Sequence, residues 1–151
     1  MTKKQKRTAP AGAAGDMVQE MTYGEIDAAY SALMTLKTYR FPFPTLLALL
    51  PYVREMTTKR AAYGAEHDAI VEVFAARDEA GELVPGDVPG SIQLTDSLAF
   101  DKAVSELRAR VVPLDKPLKR LRADFFTAGI SADKLISSTE VFDNLGPLFV
   151  V

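Results

Sequence analysis

The chain has 151 residues, 48% of them apolar, a length and composition that support one domain with a modest core. It has no cysteine and a single histidine, His67, which excludes disulfides, thiolate catalysis, cysteine-ligated metals and any site that needs two imidazoles from one chain. The net charge of −2 is unevenly spread: Lys3, Lys4, Lys6 and Arg7 precede the first acid, Asp16, and without them 14 basic residues face 20 acidic ones, a body near −6.

The first 21 residues read as a basic, Ala/Gly/Pro-containing arm. A basic arm on an acidic body fits either a flexible solubilising tail or an anchor that seeks an anionic partner, protein or nucleic-acid phosphate. Its start lacks the apolar stretch of a secretory signal, and no apolar run approaches the roughly 20 residues of a membrane span, so the expected setting is the cytoplasm or a particle assembled there.

Residues 22–151 are expected to form a single helical domain. Thr22 and Glu25 in "TYGE" make a capping box, and Ile26, Ala29, Tyr30 and Leu33 follow at helical spacing, which predicts a helix over Tyr23–Thr38. "YRFPFP" (Tyr39 to Pro44) breaks it, because residues before proline are driven toward extended geometry. From Pro44 or Thr45 a heptad-like series runs through Leu46, Leu49, Val53, Met56, Arg60, Tyr63, His67, Ile70 and Phe74 to about Ala76. Pro51 should kink this helix or mark its true start. The next stretch, "RDEAGELVPGDVPGSIQL", carries turn residues between two short β-favouring pieces, a small hairpin or extended loop.

Thr95 or Asp96 then caps a return helix bearing Leu98, Phe100, Val104, Leu107 and Val111, stopped by Pro113. Two amphipathic helices joined at one end bury their stripes by lying antiparallel. The expected fold is therefore mainly α: a long antiparallel helical hairpin with a short β-hairpin or loop at its tip, plus N- and C-terminal packing helices. Residues 114–126 read as strand or irregular structure. Ser131 caps a last helix over Ala132–Asn144, with Ile130 and Leu135 as its staple and Gly146-Pro147 as its stop.

The acidic loop carries neither GxxxxGK[ST] nor GxGxxG and has no lysine, so it is no phosphate cradle. Asp78, Glu79, Glu82 and Asp87 could converge on calcium, but their spacing is not that of an EF-hand and two prolines interrupt the run. His67 lies on the helical seam with Glu66 and Asp68 beside it, and no serine sits in a nucleophile elbow to use it; packing explains it best. "SADK" and "SSTE" are helix caps or polar surface. Arg60 shares the seam, where a polar residue fixes register or faces a partner. Lys116, Lys119, Arg120 and Arg122 with Leu121, Phe125 and Phe126 fit a nucleic-acid surface or a half-buried segment. No catalytic, cofactor-binding or metal-ligating set emerges, and the chain is not expected to be an enzyme. Apolar "FPFPTLLALL" and "LGPLFVV" place Phe41, Phe43, Leu148 and Phe149 as candidate docking residues.

The order of segments, namely a long helix, an acidic turn over Asp78–Leu83, a Thr-Asp-capped return helix, a Leu-rich basic segment and an "ISADKL" helix with an apolar tail, resembles small helical-hairpin proteins of tailed bacteriophages. The likeness covers about Tyr30 to Val151; the basic arm is extra. It implies a non-enzymatic virion structural or assembly protein, in the virion or the host cytoplasm, acting through other protein subunits as a homo-oligomer or part of a larger assembly. The alternative is a small regulatory or host-defence-blocking protein bound to one host partner.

Overall fold

The structure is a computed structural model that describes residues 13–127 and 139–150. After a 3-10 turn over Ala13–Asp16 come β1 (Met17–Thr22), α1 (Tyr23–Leu36), α2 (Phe43–Phe74), α3 (Ser97–Ala109), β2 (Val111–Lys119), β3 (Leu121–Arg122), α4 (Ala123–Thr127) and α5 (Thr139–Asn144). A second 3-10 turn, Gly146–Leu148, leads to β4 (Phe149–Val150).

Local chemistry sets the helix starts. The Thr22 hydroxyl accepts from the Glu25 N–H (3.1 Å) while the Thr22 N–H donates to the Glu25 carboxylate (2.8 Å), so both halves of the capping box are closed. Asp96 caps α3 by accepting from the Ala99 N–H at 3.0 Å. Pro44 sits in the first turn of α2, where its missing N–H costs nothing. The helix continues through Pro51, which faces solvent. Its 32 residues span roughly 48 Å at about 1.5 Å each.

The expected mainly α fold built on a long helical hairpin is replaced by a mixed α/β fold. Among the described residues there are five α-helices and an antiparallel sheet of β1 and β2, and no long helical hairpin. The return helix α3 has 13 residues against the 32 of α2, so it covers only part of its neighbour. Beyond it, Arg110 is already extended (φ −66°, ψ 127°), and the β-branched Val111-Val112 followed by N–H-lacking Pro113 favours a strand. The partner strand β1 occupies Met17–Thr22, all but Thr22 assigned by sequence to the arm, and buries Val18 and Met21.

Pairing runs Thr22↔Val111, Met21↔Val112 and Glu20↔Pro113, then resumes at Val18↔Leu118 and Met17↔Lys119. Residues 114–117 thus bulge out of β2, and α2 holds them. The buried Glu55 carboxylate accepts from the Asp115 N–H at 2.6 Å, Lys59 pairs with the Asp115 carboxylate at 2.7 Å, and the Tyr52 hydroxyl donates to the Lys119 carbonyl. One helical face of α2 therefore supplies the partners that the outer edge of β2 lacks.

The core gathers around α1, which packs against β1, α2, α3, α5 and the C-terminal 3-10 turn. Ile26, Leu33, Leu36, Met56, Phe126, Leu145 and Leu148 are fully buried. Phe126 is ringed by Phe41, Phe125, Phe142 and Phe149 at centroid distances of 5.8, 5.0, 5.0 and 6.2 Å. The C-terminal strand β4 closes this end by pairing in parallel with β3. The expected cap Ser131, its staple and the first residues of the Ala132–Asn144 helix lie outside the described residues.

Candidate protein-interaction surface

The first three turns of α2 are apolar on every side. Thr45, Leu49, Tyr52 and Met56 turn into the core, which roots the helix. On the opposite face Phe43, Leu47 and Leu50 follow i, i+4, i+7 spacing and are 73%, 53% and 39% exposed. Proline geometry separates two phenylalanines that look alike in sequence. Phe41, before Pro42, is buried against Tyr39 and Phe126, whereas Phe43 stands in solvent. At the other expected docking site Leu148 is wholly buried, and Phe149 is half-buried 5.3 Å from Phe142. Only Phe43 of these four offers a free apolar side chain. Lys3, Lys4, Lys6 and Arg7 lie outside the described residues. Lys37, Arg40 and Arg54 are exposed around the α2 stripe, and the sequence places no acid between residues 28 and 54.

The polar seam residues face a neighbouring helix. Arg60 donates to Asp27 on α1 (3.1 Å) and lays its guanidinium 4.6 Å over the Tyr30 ring. Arg108 of α3 reaches the other Asp27 oxygen at 3.2 Å and the Tyr63 hydroxyl at 3.4 Å. Glu66 accepts from the Tyr23 hydroxyl (3.2 Å) and from Arg110. His67 lies between rings, 6.0 Å from Tyr63 and 6.2 Å from Phe100. Burial, then the bond to Glu66, raises the Tyr23 phenol above its ordinary range. The bonds to Tyr63 and Asp27 hold the Arg108 guanidinium charged and raise it further. This cluster ties three helices together, with both carboxylates already engaged by arginine. Sequence spacing showed Arg60 and His67 but not Asp27 or Arg108, which lie 81 residues apart and meet only through the tertiary fold.

At the far end of α2 the loop over residues 75–96 folds into nested isolated bridges, Ala75↔Leu94, Arg77↔Leu83 and Pro85↔Ile92. Gly81 and Gly90 take φ near +80°, open to glycine at little cost. The Asp78 carboxylate accepts from the Ala80 and Glu82 N–H groups at 2.9 and 3.0 Å, so it serves the turn. No group of three acidic or histidine residues fit to hold a metal occurs among the described residues. A shallow cleft of about 360 Å3, lined by Pro85, Asp87, Val88, Ser91 and Ile92, lies under this loop. Val73, Val88 and Leu98 at this end are 74%, 65% and 81% exposed.

Among the described residues no helix is long and apolar enough to cross a membrane. Comparison with protein-family models, with curated proteins and with solved structures returned no match.

Proposed function

We propose that the protein acts without chemistry of its own, as a structural or assembly component that holds other protein subunits. The observation that carries this reading is the exposed Phe43–Leu47–Leu50 face on a helix rooted in the core. An apolar stripe on a rigid helix loses roughly 25 cal/mol of favourable burial for each Å2 left in water, and such faces mark contact sites. A phage particle is the first setting to test. The order of segments resembles phage proteins, although the hairpin in that layout gives way here to a mixed α/β fold.

The test is sedimentation of extracts from the cells that make the protein, with and without chemical cross-linking. Wild-type chain is expected to travel with a large particle. The variant Phe43→Glu/Leu47→Glu, altered only at solvent-facing positions, is expected to remain folded and travel alone. A wild-type chain that runs as a free monomer even after cross-linking refutes the proposal. A one-to-one adduct with a single host protein replaces it with the regulatory reading.

A further inference from the structure

The charges are sorted along α2. Around its start the exposed charged residues from 37 to 54 are Lys37, Arg40 and Arg54, all positive. The next acid along the chain, Glu55, is turned inward and accepts from the Asp115 N–H. Around its end, residues 68 to 102 hold eight acidic residues against Arg77 and Lys102, and Arg77 is itself paired with Glu72 at 2.8 Å. The helix between them spans roughly 48 Å, several times the ~8 Å screening length of physiological salt, so the two ends cannot neutralise each other within one chain. Each end also presents unpartnered apolar side chains: Phe43, Leu47 and Leu50 at the basic end, Val73 and Leu98 at the acidic end.

We propose that these two ends bind each other between copies, so that the basic start of α2 in one chain docks on the acidic α2–α3 end of the next. The partner subunit of the reading above is, on this view, first of all a second copy of this chain, and the proposal rests on that reading. Charge selects this arrangement. Packing two Phe43 stripes face to face sets Arg40 and Arg54 against their own copies with no exposed acid on either stripe. Packing basic end to acidic end brings arginine and lysine to Asp68, Glu72 and Asp101, which flank Val73 and Leu98. Such a contact joins different patches on the two chains, so it continues into a ring or an open filament rather than stopping at a two-fold dimer.

The experiment uses full-length protein in sedimentation velocity. Wild type should grow in mass with concentration and shrink with added salt. Phe43→Glu spoils the basic end and Leu98→Lys the acidic end, and each variant alone should be monomeric. Their equimolar mixture should form a dimer and go no further, because one intact basic end then meets one intact acidic end. A mixture that stays monomeric while wild type associates overturns the head-to-tail contact. So does wild type that remains monomeric at high concentration; if it nevertheless travels with a particle in extracts, the assembly reading survives and only the self-contact fails. Should a variant misfold by circular dichroism, zero-length cross-linking of wild type decides. Lys37 joined to a carboxylate in residues 68–101 supports the contact, and no such adduct overturns it.

Discussion

Replacing Glu55 tests the claim that α2 holds the β2 bulge. Glu55 is 8% exposed, and its carboxylate accepts from the Asp115 N–H at 2.6 Å, inside a stretch where β1 leaves residues 114–117 unpaired. A hydrogen bond to a charged acceptor contributes about 1.5–3 kcal/mol, and Glu55→Ala also strips a buried methylene worth about 0.8 kcal/mol. The expected loss is roughly 2–4 kcal/mol. Glu55→Gln keeps an oxygen acceptor but exchanges the charge and one oxygen for an NH2 group, so about 1 kcal/mol is expected. Lys59→Ala removes the partner of the Asp115 carboxylate, whose side chain is 63% exposed, and solvent screening limits that loss to about 1 kcal/mol or less. Urea unfolding at constant slope measures all three, and hydrogen exchange at the Asp115 amide reports the bond itself. A Glu55→Ala variant within about 0.5 kcal/mol of wild type, or an Asp115 amide whose protection does not change, refutes the reasoning.

Phe126→Ala removes a fully buried ring with four aromatic neighbours, and about 3–5 kcal/mol should be lost in the same unfolding assay. Stability should also fall in alkali. Burial raises the Tyr52 phenol, so the unfolded chain ionises first; stability is complete below about pH 10 and is lost as pH rises toward the raised folded value. Urea midpoints followed from about pH 9 to 11 should show a shallower alkaline decline in Tyr52→Phe, and an unchanged decline contradicts this account.

Features encoded by neighbouring residues were readable from sequence. The capping box at Thr22 needs only a few consecutive side chains and stands as expected, α2 starts at Phe43, just ahead of the expected Pro44 or Thr45, and of the two expected caps Thr95 and Asp96 it is Asp96 that caps α3. The sheet was hidden for a physical reason. A strand is recognised by alternation, but β1 buries Val18 and Met21, three apart, and β2 buries Leu114 and Leu118, four apart. The bulge between them breaks the two-residue period and imitates a helical one. The interaction surface was half legible for a similar reason. Apolar residues beside prolines can point inward or outward, and only packing against Phe126 separates Phe41 from Phe43. Leu148 had the composition of a sticky tail and proved to be core.

The position of the C-terminal segment has a consequence for how the chain is made. The inner face of α1 is covered in part by α5 and the Gly146–Leu148 turn, with Leu145 and Leu148 wholly enclosed. This part of the cover of residues 23–36 is translated more than a hundred positions after them. At the usual elongation rate of about 5–20 residues per second, the first helix waits on the order of 5–20 s with that side bare. During that interval the α1 face that α5 and the Gly146–Leu148 turn later cover is open to any other apolar surface.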